Sequence, residues 1–76
     1  MNKQRRKDVD AVIDRIDDLK TDIDDVINDE QDTYFNLPDS LQASEKGDKY
    51  ETVIALMESS KKSLDTAREL LIKAKS

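Results

Sequence analysis

Ser59, Ser60, Lys61, Lys62 and Ser63 place hydroxyls beside amines, the raw material of a serine–lysine nucleophile pair. Such a pair also needs a substrate pocket and oxyanion donors, and nothing around these residues supplies them. They read as a polar helix face. Asp22, Asp24 and Asp25 could approach a cation, but a calcium loop needs alternating oxygen ligands, a central glycine and a distal glutamate. Here apolar residues run straight through the acids. Paired carboxylates can hydrolyse glycosides only across a cleft that separates their pKa values. One glycine, Gly47, cannot build a glycine-rich phosphate loop. With no cysteine and no histidine, disulfides, zinc ribbons, iron–sulfur clusters, thiol nucleophiles and the usual neutral-pH base are all excluded. The chain is expected to be no enzyme, with no catalytic, cofactor-binding or metal-ligating residue.

Binding by charged faces is the remaining chemistry. The net charge of −5 is an average over four unlike segments. Residues 1–7 carry +4, residues 8–32 carry −9, residues 33–48 carry −2 and residues 49–76 carry +2. Thirteen of the eighteen acids are aspartate, although glutamate is the better helix former. Asp10, Asp14, Asp17, Asp18, Asp24, Asp25 and Asp32 fall opposite the apolar positions. On a straight helix they form a ridge about 33 Å long, with neighbours about 5–6 Å apart. That spacing approaches the spacing of backbone phosphates, so the ridge could present a nucleic-acid-like face to a basic protein. The same acids disfavour direct nucleic-acid binding, and the basic cluster Lys3, Arg5, Arg6, Lys7 has no aromatic beside it for base stacking. Lys61, Lys62 and Arg68 are the clustered bases that could hold the phosphates of a small nucleotide signal in an oligomer.

These faces must be carried by helices. Val9, Val12, Ile16, Leu19, Ile23 and Val26 alternate by three and four, a heptad seam that Ile13 and Ile27 widen. A first helix is expected over 8–33. A loop follows over 34–47, with a pre-proline residue that resists the helical region and Pro38 starting a short turn through Leu41. Ser44, with Asp48 as competitor, suits the cap of a second helix over 48–75. Its seam comprises Tyr50, Val53, Met57, Ser60, Leu64, Ala67, Leu71 and Ala74, flanked by Ile54, Leu56 and Leu70. Tyr34, Phe35, Leu37, Pro38 and Leu41 either close the open end of the helix pair or form a partner-binding patch.

Seventy-six residues, 36% hydrophobic and 41% charged, fit one small helical domain. A chain this short buries too little surface for a comfortable core. The expected fold is therefore all-α: an antiparallel two-helix hairpin, a single domain over 1–76, dimerising into a four-helix bundle. The oligomer seam is Val9, Val12, Ile13, Ile16, Leu19, Ile23, Val26, Ile27, Val53, Ile54, Met57, Leu64 and Leu71. No run is long enough to span a bilayer. The basic start is followed by Asp8 and Asp10 rather than by an apolar stretch, which speaks against export and for the cytoplasm.

The stretch from Tyr34 to Gly47 resembles a segment of small uncharacterised accessory proteins of tailed phages and prophages. The likeness rests on Asn36, Pro38, Leu41, Gln42 and Ser44, between an acidic helix and a second helix. It implies a phage accessory origin, hence action in the host cytoplasm, and brings no catalytic residues. The combined expectation is a non-enzymatic protein that binds a host, defence or phage protein and inhibits it. An acidic mimic blocking a nuclease or transcription protein is one alternative, and a nucleotide-sequestering oligomer is another.

Overall fold

A computed structural model describes residues 1–76, and the fold is all-helical with no strand. Helix α1 spans Lys3–Phe35, α2 is the single turn Asp39–Gln42, and α3 spans Glu45–Lys75. Helix α1 starts five residues before the expected boundary. A cap sets its start, because the Asn2 Oδ1 accepts from the backbone N–H of Arg5 at 2.8 Å. At the other end, the N–H of Asn36 still donates to the carbonyl of Asp32 at 3.0 Å. Pro38 then keeps Leu37 out of the helix.

The connection is built from the residues that the sequence marks as unusual. Pro38 stands at the cap of α2, and its carbonyl accepts from Leu41 and Gln42 at 2.8 and 3.0 Å. The side-chain amide of Gln42 turns back to the carbonyls of Phe35 and Leu37, at 3.3 and 3.0 Å. It thereby satisfies acceptors that the end of α1 leaves free. Ser44 has the extended backbone of a cap, and α3 begins directly after it, three residues before the expected start. Its hydroxyl donates to the carbonyl of Leu41 instead of accepting from the first turn of α3. Gly47 is buried, and a Cβ there would stand 2.0 Å from the carbonyl oxygen of Gln42. Glycine is required at this point by space.

Helices α1 and α3 run antiparallel. Asp10 pairs with Lys75, Asp17 with Arg68, Lys20 with Asp65, and Asp24 with Lys61. Tyr34 meets Glu51 in the same register, and in all five contacts the two residue numbers add to 85. The molecule is an extended rod of 58 × 15 × 10 Å.

The line of contact differs from the expected seam. Ile13, Ile16 and Ile27 are the buried hydrophobic residues, whereas Val12, Leu19 and Val26 are 41%, 50% and 46% exposed. The stripe on α1 is wide enough to hold two seams that share Val9, Ile16 and Ile23. Helix α3 lies on the one through Val9, Ile13, Ile16, Lys20, Ile23 and Ile27. On α3 the inward line is Tyr50, Ile54, Met57, Lys61, Leu64, Arg68 and Leu71, and Val53 is exposed. The ion pairs favour this rotation, since it brings Asp17, Lys20 and Asp24 beside their partners.

Alanine at Gly47 raises helix propensity but forces the Gln42 carbonyl away. Overpacking of this kind costs about 1–3 kcal/mol, so Gly47→Ala is expected to lower the urea midpoint while leaving the helical circular-dichroism spectrum of the folded protein unchanged.

Candidate interaction surfaces

The two flanks of the helix pair have opposite chemistry. Asp10, Asp17 and Asp24 recur every seven residues and bind Lys75, Arg68 and Lys61 across the groove. Lys20 and Asp65 close the row. Val12, Leu19 and Val26 each stand two positions after one of those aspartates. Two positions are about 200° of helix, so these residues lie on the opposite flank. Ser63 stands two positions before Asp65 and shares its flank of α3 with Leu56 and Leu70. These two leucines are 66% and 59% exposed. In an antiparallel pair both apolar stripes then fall on one face, and the ion pairs fall on the other. The heptad spacing of Leu56, Ser63 and Leu70 is the signal for this second stripe on α3.

The structure divides the seven candidate aspartates. Asp10, Asp17 and Asp24 are held in intramolecular ion pairs. Asp14, Asp18, Asp25 and Asp32 are exposed on the outer side of α1. The candidate phosphate-binding bases divide in the same way: Lys61 and Arg68 are occupied by carboxylates, and Lys62 points to solvent. The hydroxyls of Ser60 and Ser63 donate to the carbonyls of Met57 and Ser59. Neither is aimed at a lysine. No three acids stand together in a way that could hold a metal ion, and no helix is long and apolar enough to cross a membrane.

At the loop end, Tyr34 and Phe35 meet edge to face with ring centres 5.5 Å apart. Tyr34 and Leu37 are half-buried, whereas Phe35, Pro38 and Leu41 are exposed. The loop patch is thus part closure and part surface. An open groove beside it is lined by Glu30, Glu45, Lys46, Lys49, Tyr50 and Val53.

Two groups titrate away from their ordinary values. The Tyr34 hydroxyl donates to Glu51 at 3.0 Å. That bond, with partial desolvation and the charges of Glu51 and Asp48, raises its pKa above 10.0. The hydrogen bond from Lys61 to Asp24 raises the lysine above 10.5, against a smaller opposing desolvation and with help from Asp24, Glu58 and Asp65.

No family model matches the chain, and neither a characterised relative nor a similar solved structure was found.

Because folding raises both pKa values, it favours the protonated forms. The stability these groups supply is fully present below their unfolded values and is lost as pH rises through the folded ones. The melting temperature is expected to be flat from about pH 7 to 9.5 and to fall above about pH 10. Circular dichroism at a series of pH values checks this, and Lys61→Met should make the fall shallower.

Proposed function

We propose that the protein is a non-enzymatic interaction protein whose working form is a homodimer of helical hairpins packed as a four-helix bundle. One observation carries this reading. A 58 Å rod is held by three buried isoleucines, while Val12, Leu19, Val26, Val53, Leu56 and Leu70 lie exposed. An apolar stripe about 30 Å long on so small a domain is a surface made to be covered. A face of 58 by 15 Å offers roughly the 800 Å² per partner that a standard interface buries. Dimerisation leaves the outer side of α1 free, with Asp14, Asp18, Asp25 and Asp32 to meet the basic surface of a protein partner. The loop stretch from Asn36 to Ser44 supports a phage or prophage origin, with a host or defence protein in the host cytoplasm as the inhibited target.

Sedimentation equilibrium at micromolar concentration is expected to give twice the chain mass. Leu19→Lys puts a charge in the covered face and should weaken the dimer by about 100-fold or more. A folded monomer at that concentration would remove the reading. The partner face is tested separately. With Asp14, Asp18, Asp25 and Asp32 all changed to Asn, the dimer should persist while a co-purifying host protein is lost in affinity purification from infected cells. Undiminished capture would show that the acidic face is not the contact.

A further inference from the structure

The exposed apolar face also carries information about how its occupant sits. This step rests on the homodimer reading above. Two hairpins can close face to face about a two-fold axis in two ways that keep neighbouring helices antiparallel. If the axis runs along the rod, both loops lie at one end and α1 of each copy crosses α3 of the other. If the axis crosses the rod, the loops lie at opposite ends, with α1 on the partner's α1 and α3 on the partner's α3.

The side chains on the face distinguish the two. Its α1 stripe is uniformly large: Val12, Leu19 and Val26, with Ile16 and Ile23 between them. Its α3 stripe has the small residues Ser60, Ser63, Ala67 and Ala74, and is large at Val53, Leu56 and Leu70. An axis along the rod leaves heights unchanged, so the register of 85 within one hairpin also relates α1 to the partner's α3. Leu19 then stands level with position 66, between Ser63 and Ala67. Val26 stands level with position 59, beside Ser60, and Val12 with position 73, beside Ala74. Leu70 stands level with position 15, beside Ile16. The large α1 residues Val12, Leu19 and Val26 each meet a small residue of the partner's α3, which is how facing layers interdigitate. Loops at opposite ends would instead set Leu19 against large residues of the partner's α1, and serines against serines. Charge selects the same arrangement. Helix α1 holds eleven acids and six bases, and α3 six acids and seven bases. Crossing α1 on α3 avoids opposing two acidic helices.

We infer that the apolar face is a self-association surface specific for a second copy in the same-end orientation, α1 of each protomer lying across α3 of its partner.

The chain has no native cysteine, so a single spin label can be placed at the exposed loop position Ser40 by Ser40→Cys. Same-end packing puts the two labels within about 30 Å, given helix spacings of about 10 Å and flexible label arms. Loops at opposite ends of a 58 Å rod would give a distance of about 50 Å or more, which overturns the orientation and leaves the dimer standing. A monomeric protein overturns both. A residue exchange gives a second measurement. Leu19→Ala and Ala67→Leu should each weaken the dimer about tenfold or more, and the double variant should return to within about threefold of the parent. A double variant as weak as the two single effects combined would also overturn the orientation.

Discussion

Two helices share one line of contact, and that geometry limits what this chain can bury. Each helix presents its partner with one residue in every three or four, so two helices in contact cannot enclose a side chain on all sides. Ile13, Ile16 and Ile27 are buried hydrophobic residues, yet none of them is fully removed from solvent. The remaining apolar surface must lie on one side of the contact line or the other. The ion pairs decide which side. Asp10, Asp17 and Asp24 reach Lys75, Arg68 and Lys61 on one flank, and the valines and leucines are left on the other. Exposed pairs contribute little stability each. Their larger effect here is to fix the rotation of each helix about its own axis.

The connection shows the same economy. Gln42 serves two helices, since its side chain closes the carbonyl end of α1 and its backbone oxygen rests on Gly47 in α3. Pro38 starts the intervening turn, and the Ser44 hydroxyl ties the last turn down. Asn36, Pro38, Leu41, Gln42 and Ser44 are thus among the residues that shape a short reversal between long helices. Such a pattern can recur wherever two helices must be joined this way. Its physical content is a turn geometry, and a binding role has to come from the residues that project from it, chiefly Phe35 and Leu41.

The helical class, the break near Pro38 and the charge contrast between the two helices were legible in the sequence because each depends on local pattern. The choice of seam was not. Val12–Leu19–Val26 and Ile13–Lys20–Ile27 are both heptad lines, one position apart, and they share Ile16 and Ile23 as neighbours. Hydrophobicity favours the first line, since Lys20 interrupts the second. The structure takes the second, because a lysine stem can lie along apolar surface while its amine reaches Asp65. The spacing of Asp10, Asp17 and Asp24 against Lys61, Arg68 and Lys75 holds this register in plain view. Reading it requires pairing the two helices in opposite directions before assigning either seam.

That pairing also accounts for part of the aspartate excess. A carboxylate next to the contact line meets a long lysine or arginine arriving from the other helix, and a short side chain leaves room for it. At Asp10, Asp17 and Asp24 the geometry therefore suits aspartate better than the longer glutamate, despite its lower helix propensity. The acids on the outer side of α1 have no such partner: Asp14, Asp18, Asp25 and Asp32 project into solvent. Helix stability alone would put glutamate there, so the two groups of aspartates need separate explanations. Packing between the helices supplies the first. The second is where a requirement imposed by something outside the molecule can act, and it lies on the outer side of α1, away from both the ion pairs and the contact with α3.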